Sequence, residues 1–239
     1  MTRNTLMTLR AKKKGFAGTN HSFARATADR LRRVPTSPAP ATRRTSLRGR
    51  PAATSHAEIE RAAFGLFVTR GFEATTLDDI GEAIGVGRRT ITRYYPSKND
   101  IPWGQFDRTL DGFREILRAM PTDLPLHEAV HRGVLAFNDF PTDASPSHRD
   151  RMRLILTTPS LQAHSVLRYA SWREVIAEYV AERTDGHPDD LLPQTVGQVA
   201  LALALTSYQA WLAHEDAEDA SLPQLLDATM SHLRAYLAD

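Results

Sequence analysis

Thr76-Leu77-Asp78-Asp79-Ile80-Gly81-Glu82-Ala83-Ile84-Gly85-Val86-Gly87-Arg88-Arg89-Thr90-Ile91-Thr92-Arg93-Tyr94 is the stretch that decides the reading of this 239-residue chain. Thr76 and Asp79 form a capping box that opens a short helix through Ile84. Gly85-Val86-Gly87 then breaks the chain, a second helix is expected from Arg88 to Tyr95, and Pro96 ends it. Two short helices that cross need apolar residues where they touch, a small residue where the backbones approach, and a glycine in the turn. Ile80, Ile84, Val86, Ile91 and Tyr94 fall on the buried positions. Gly81 is the small crossing residue and Gly85 can take the positive φ of the turn. The pattern is that of a helix-turn-helix.

The exposed face of the second helix carries a charge signature. From Val86 to Lys98 there are four cations, Arg88, Arg89, Arg93 and Lys98, and no acid. Arginine can bridge guanine O6 and N7 in the major groove, and the amino end of the second helix is the end that reaches base edges. Arg88 and Arg89 are therefore candidates for base contacts. Gly87, Thr90, Thr92 and Arg93 line the same edge, and Thr76 starts the helix beside it. Tyr94 and Lys98 fit phosphate contacts better. The expected partner is double-stranded operator DNA.

Working outward, Ser55 and Glu58 form an earlier capping box. Ile59, Ala63, Phe64, Leu66 and Phe67 follow as an apolar face, and Gly71 stops the helix. Ser97 and Asp100 cap what reads as one longer helix, about 100–119. Residues 57–101 taken together resemble the amino-terminal domain of the TetR family of one-component repressors. The residues that carry the resemblance are Phe67, Gly71, Phe72, Thr75, Thr76, Leu77, Ile80, Gly85, Val86, Thr90, Ile91, Tyr94, Tyr95 and Lys98. Gly81 and Ile84 stand where that family often has alanine, Gly87 where serine is frequent, and Thr92 where tyrosine is common, so operator preference does not carry over. The run Tyr94-Tyr95-Pro96-Ser97-Lys98-Asn99-Asp100-Ile101-Pro102-Trp103-Gly104-Gln105-Phe106 is similar to mycofactocin-system regulators within the family.

The net charge of +2 hides a split. Residues 1–50 hold 13 Lys/Arg against the single acid Asp29, whereas the remainder holds 17 against 27. Residues 1–54 lack hydrophobic periodicity and are expected to be a disordered basic arm. Such an arm has the composition of a transit peptide, or could precede the true start codon. Within it, Arg48-Gly49-Arg50-Pro51 resembles an AT-hook core, whose two arginines enter a narrow A·T minor groove; a coincidence in an Arg-rich linker is the alternative. Cysteine is absent, which excludes disulfide scaffolds, thiolate metal sites and cysteine nucleophiles and fits a reducing compartment. No window approaches the roughly 18 consecutive apolar residues of a membrane span. A cytoplasmic protein is expected.

Residues 102–239 read as helices punctuated by proline, at about 100–119, 125–139, 147–157, 160–184, 190–214 and 221–237, so the expected class is all-α. The proposed organisation is arm 1–54, helix-turn-helix domain 55–101, and ligand-binding and dimerisation domain 102–239. The body has 20 acids against 11 Lys/Arg, a poor nucleic-acid surface. The helix through Thr195–His214 is apolar nearly all round, as expected of a helix buried on most sides. The resemblance implies a homodimer in which 195–214 and 222–237 build the interface; a monomer with that helix as its core is the alternative. It also implies an apolar effector pocket, for which Trp103, Phe106, Phe137, Tyr169, Trp172 and Tyr208 are the candidates, and helix 100–119 as the lever to the reading head. Regulators like those of the mycofactocin system imply a long-chain acyl-CoA, whose phosphates Arg168 or Arg173 could meet.

One motif points elsewhere. His127-Glu128-Ala129-Val130-His131 is a literal H-E-x-x-H, the zinc-binding signature of metallopeptidases, with Glu128 as the general base. Val134 and Phe137 occupy the positions where an extended motif has glycine and a third histidine, so no third ligand is in sight. The expectation is a non-enzyme without a cofactor or metal.

Overall fold

The computed structural model describes residues 54–141, 143–214 and 221–238. Among the described residues the elements are helices only: α1 His56–Arg70, α2 Leu77–Ala83, α3 Arg88–Thr92, a 3-10 segment Lys98–Trp103, α4 Phe106–Arg118, α5 Leu126–Phe137, α6 His148–Thr157, α7 Pro159–Arg183, α8 Leu191–Ala213 and α9 Leu222–Ala238. The all-α expectation holds.

Side-chain caps set the starts of the early elements. Ser55 Oγ accepts from the Glu58 amide, while the Glu58 carboxylate takes the Thr54 hydroxyl at 3.0 Å, so only half of that box forms. The boxes at Thr76/Asp79 and Ser97/Asp100 are complete. Each satisfies two amide groups that the first turn would otherwise leave bare.

The longer helix expected at 100–119 is two pieces. Lys98–Trp103 is a 3-10 turn holding Pro102, and Gly104 (φ 59°) separates it from α4. An L side chain at Gly104 would be strained, and its Cβ would also lie 3.3 Å from Arg151 Nη1. The second helix of the head is likewise shorter than expected. Its α-helical part ends at Thr92, and the turn closes through Tyr94 N–H to Ile91 O and Tyr95 N–H to Ile91 O.

Two apolar cores result. The first gathers Ile59, Phe64, Phe67, Ile80, Ile91 and Tyr95, with Leu161 of α7 inserted from the body. The second runs through α4–α9 around Phe113, Leu117, Val134, Trp172, Ile176 and Leu226. Helices α7 and α8 approach closely at Gly197, where a Cβ would stand 3.0 Å from the Arg173 carbonyl. Within one chain helix α8 buries one face only. Its buried face is Gly197, Ala200, Ala204, Ser207 and Tyr208, while Thr195, Gln198, Val199, Ala202, Thr206 and Gln209 are exposed within the chain. Ser207 ties α8 to α9, lying 2.9 Å from Thr229 Oγ1 and 3.3 Å from the Leu225 carbonyl.

Candidate nucleic-acid interface and ligand cavity

The helix-turn-helix is built as its sequence demands. Gly81 is buried, and a Cβ there would meet the Val86 carbonyl at 2.5 Å; the Val86 amide donates to the Gly81 carbonyl at 2.8 Å. Gly85 takes φ 70°. Ile80 and Ile91 are fully buried, whereas Ile84, Val86 and Tyr94 are half-buried. Asp79 is held below the usual carboxylate range by the Thr76 hydroxyl, the Thr76 amide and the Arg70 charge.

Arg88, Arg89 and Arg93 project into solvent from this frame, with Thr90 and Thr92 half-buried between them. Gly87, exposed, caps α3 with its carbonyl, and the Thr92 hydroxyl donates to the Arg89 carbonyl. Arg88 Nη1 lies 3.2 Å from Asp78 Oδ2, but both side chains are more than half exposed. Such a pair contributes about 0–1 kcal/mol and can be exchanged for another acceptor. The Thr76 hydroxyl is committed to the Asp79 cap. The Tyr94 hydroxyl donates to the Thr54 carbonyl at 2.6 Å, which pins the entry to α1 against the end of the reading segment. Arg48 and Arg50 lie outside the described residues.

Lys98, expected at a phosphate, is engaged within the chain. Its Nζ donates to the carbonyls of Phe72 at 2.6 Å, Thr75 at 2.9 Å and Glu73 at 3.3 Å, and sits 4.3 Å over the Phe72 ring. A three-donor ammonium so placed closes the α1–α2 loop. Tyr95, next to the residue expected at the buried position, is the buried tyrosine, 2% exposed, and its hydroxyl donates to Glu60 Oε1 at 2.5 Å. Burial and the Glu60 carboxylate push its phenol far up, so it stays a donor.

Beneath the head lies a cavity of about 360 Å³. All six aromatic residues chosen from the sequence, Trp103, Phe106, Phe137, Tyr169, Trp172 and Tyr208, line it. Its wall is not uniformly apolar. The Tyr208 hydroxyl donates to Asn138 Oδ1 at 2.5 Å and lies 2.7 Å from His148 Nε2, so His148 donates through Nε2 and carries a bare Nδ1. Burial pushes His148 down to about 4, with the Arg151 charge adding to the effect, which keeps the ring neutral. Arg151 Nη2 meets Glu60 Oε2 at 2.6 Å, and its Nη1 donates to the Pro102 carbonyl at 2.7 Å. The sequence reading missed Glu60, Asn138, His148 and Arg151. Nothing in local spacing marks them, because the partners that hold them at the cavity lie 35–91 residues away.

The metallopeptidase geometry does not form. His127 is exposed and His131 is 5% exposed, its Nε2 3.0 Å from Asp227 Oδ1. Glu128 is held by Arg132 at 2.8 Å and Arg234 at 2.9 Å, and these lower its carboxyl below the usual range. A carboxylate clamped between two guanidinium groups is a poor general base. No group of three metal-ligating side chains occurs among the described residues. Arg168, considered above for phosphates, is instead bonded to Asp100 at 2.8 Å and Asp107 at 3.4 Å.

Comparison with known proteins agrees with this architecture. Residues 59–101 match the model of bacterial regulatory proteins of the tetR family, and residues 124–238 match that of the MftR C-terminal domain. The mycofactocin biosynthesis transcriptional regulator MftR of Mycobacterium tuberculosis is 42% identical over 189 residues, 79% of this chain and 94% of its own length. TcmR of Streptomyces glaucescens, an HTH-type transcriptional regulator, is 27% identical over 83% of this chain and 92% of its own. Two solved structures share the fold. Thermus thermophilus FadR, a TetR-family repressor in complex with lauroyl-CoA, matches with a TM-score of 0.50 at 22% identity, over 75% of this chain and 93% of its own. The fatty acid degradation regulator FadR of Bacillus halodurans matches with a TM-score of 0.54 at 16% identity, over 75% and 97%. No helix among the described residues is long and apolar enough to cross a membrane. A reading head of exposed arginines set on a helical body with an aromatic-lined cavity, and relatives matched along nearly their whole length, lead to one statement: the chain belongs to the TetR family of transcriptional regulators, with an MftR-type C-terminal domain and no enzymatic role.

Proposed function

We propose that this regulator is a homodimeric repressor that releases its operator when an apolar effector, the acyl chain of a long-chain acyl-CoA, enters the cavity. The observation that carries the reading is the cavity's extent, from Leu201 and Tyr208 of α8 to Glu60 of the head's first helix. An occupant there touches both the body and the head. The volume lies at the low end of the roughly 300–1,000 Å³ typical of ligand pockets, enough for an alkyl chain while a coenzyme A nucleotide stays outside. The lauroyl-CoA held by the Thermus thermophilus fold relative gives that class a precedent.

In this reading residues 55–101 are the DNA-binding domain and 102–239 the ligand-binding and dimerisation domain. Arg88, Arg89 and Arg93 carry the DNA contacts, with Gly87, Thr90 and Thr92 approaching the same groove. Arg48 and Arg50 add minor-groove contacts from the arm. The open face of α8, with the exposed Tyr236 and Leu237 of α9, is the surface that pairs two copies. Pairing sets two reading helices about one DNA turn, roughly 34 Å, apart. The effector favours a subunit arrangement that misses this spacing. Working on the chromosome, the protein is cytoplasmic.

The test is a fluorescence-anisotropy titration of the full chain against DNA upstream of its own gene, with excess non-specific competitor at about 150 mM salt, because a basic arm binds any DNA by counterion release. Tight binding that a long-chain acyl-CoA abolishes supports the reading. Tight binding that it leaves unchanged removes the effector class and keeps the regulator.

A further inference from the structure

Among the residues lining the cavity, Arg151 is the one Lys or Arg and Glu60 the one carboxylate, and they are paired with each other. The pair is largely buried, with side chains 19% and 12% exposed. Glu60 belongs to α1 of the reading head and Arg151 to α6 of the body. Glu60 uses its second oxygen to hold Tyr95 at the end of the segment that begins with α3. Arg151 also holds the 3-10 turn through the Pro102 carbonyl, so one guanidinium anchors two parts of the head. Its Nε takes no acceptor among the described residues. On the same wall the Trp103 Nε1–H is buried and has no hydrogen-bond partner among the described residues. A buried donor without an acceptor is costly, and the Trp103 indole on the wall that Arg151 also lines marks where an acceptor of the occupant belongs.

We infer that Arg151 recognises an acyl oxygen of the occupant, a thioester carbonyl or a free carboxylate, and that this oxygen competes with Glu60 for the guanidinium. The inference rests on the effector reading above and names the group through which the effector acts. Arg151 given over to the occupant leaves Glu60 without its cation and Tyr95 held by a carboxylate that must find another partner. The head is thereby unseated from the body at a seam the cavity reaches. By linkage, operator binding weakens effector binding by the same factor.

The experiment uses the full chain and three probes: dodecanoyl-CoA, the thioether S-dodecyl-CoA, which lacks the carbonyl oxygen, and dodecanoate. Binding is read by tryptophan fluorescence and calorimetry, and operator release by anisotropy. In the wild type, dodecanoyl-CoA or dodecanoate is expected to bind about tenfold tighter than the thioether and alone to release DNA, tenfold being the low end for a hydrogen bond to a charged group. Whichever of the two does so identifies the source of the oxygen. Arg151→Met, with folding checked by circular dichroism, is expected to bring that ratio to about one, and Glu60→Gln to tighten dodecanoate several-fold. If Arg151→Met does not fold, Arg151→Lys, which keeps charge without the fork, must narrow the ratio. A wild type that binds acyl and thioether probes equally, or a folded Arg151 variant that keeps the full ratio, overturns the inference and leaves the effector reading standing. A wild type that binds none of the three overturns both.

Discussion

Replacing Lys98 with methionine separates two roles for the same residue. In the structure its ammonium serves two half-buried carbonyls, of Phe72 and Thr75, and a more exposed one, of Glu73, while its stem covers the Phe72 ring. Methionine keeps much of the packing and removes all three donors. A hydrogen bond to a charged group contributes about 1.5–3 kcal/mol, and discounting for solvent at this site leaves a loss of about 2–4 kcal/mol. For a chain of this size that is roughly 5–15 °C in Tm. The assays are urea unfolding at fixed protein concentration, since the stability of the proposed dimer would depend on it, and operator binding at four salt concentrations. The variant is expected to be destabilised by that amount while the salt slope of DNA binding, measured below its unfolding range, stays unchanged. A phosphate contact behaves oppositely: stability is kept, and the slope of log K against log salt falls by about 0.9. Stability within about 0.5 kcal/mol of wild type together with the smaller slope would refute the structural role given to Lys98.

Other residues give equally direct expectations. Arg89→Ala and Arg93→Ala alter exposed side chains, so unfolding should shift by less than about 0.5 kcal/mol, while specific operator affinity should fall about tenfold or more in anisotropy titrations if either contacts a base. His148, lowered to about 4, takes up a proton in the unfolded chain at higher pH than in the folded one. Its stabilisation is therefore lost as pH falls from about 6.5 toward 4, by up to about 3 kcal/mol, and His148→Gln should flatten the pH dependence of urea midpoints in that window. Gly104→Ala places a side chain at φ 59° against Arg151 and Glu60 and should lower stability by about 1–3 kcal/mol in the same unfolding assay.

Local chemistry made the head readable. Thr76 with Asp79 and Ser97 with Asp100 announce helix starts because the cap is made within four residues, and Gly85 announces a turn because only its backbone is at issue. The aromatic set was legible for a related reason: large rings in an acidic helical body have only the interior to fill. The break at Gly104 was not legible, since Pro102 is tolerated in a first turn and the space that forbids a side chain is filled by Arg151 and Glu60, 47 and 44 positions away in sequence. The intrachain role of Lys98 was not legible, because a cation beside other cations looks like a phosphate contact until the loop carbonyls of Phe72 and Thr75 fold beneath it. Which face of α8 stays open in one chain was not legible, for the opposite reason. Val199 and Ala202 are apolar enough to be buried in a single chain, and only the packing of α7 and α9 on the other side leaves them bare.

The 3-10 turn joining head to body is held by two ionic struts, and only one of them reaches the cavity. Arg151 holds it through Pro102 and Glu60; on the other side Asp100 receives Arg168 at 2.8 Å and His164 at 2.9 Å. Burial alone would raise the Asp100 carboxyl, but the bonds from Ser97, Arg168 and His164 outweigh it and hold it below the usual range. Buried ion pairs add little net stability over apolar packing, yet removing one partner is costly because the other is left uncompensated. Asp100→Asn is therefore expected to destabilise the fold by about 1–3 kcal/mol, less than a fully buried pair because Arg168 is one-quarter exposed. Asp100 does not line the cavity, so the acyl-to-thioether binding ratio should not change. Glu60→Gln should alter that ratio as well as stability. If both substitutions changed the ratio alike, the turn would act as one rigid block, and the assignment of the effector's influence to the Glu60–Arg151 strut would fail.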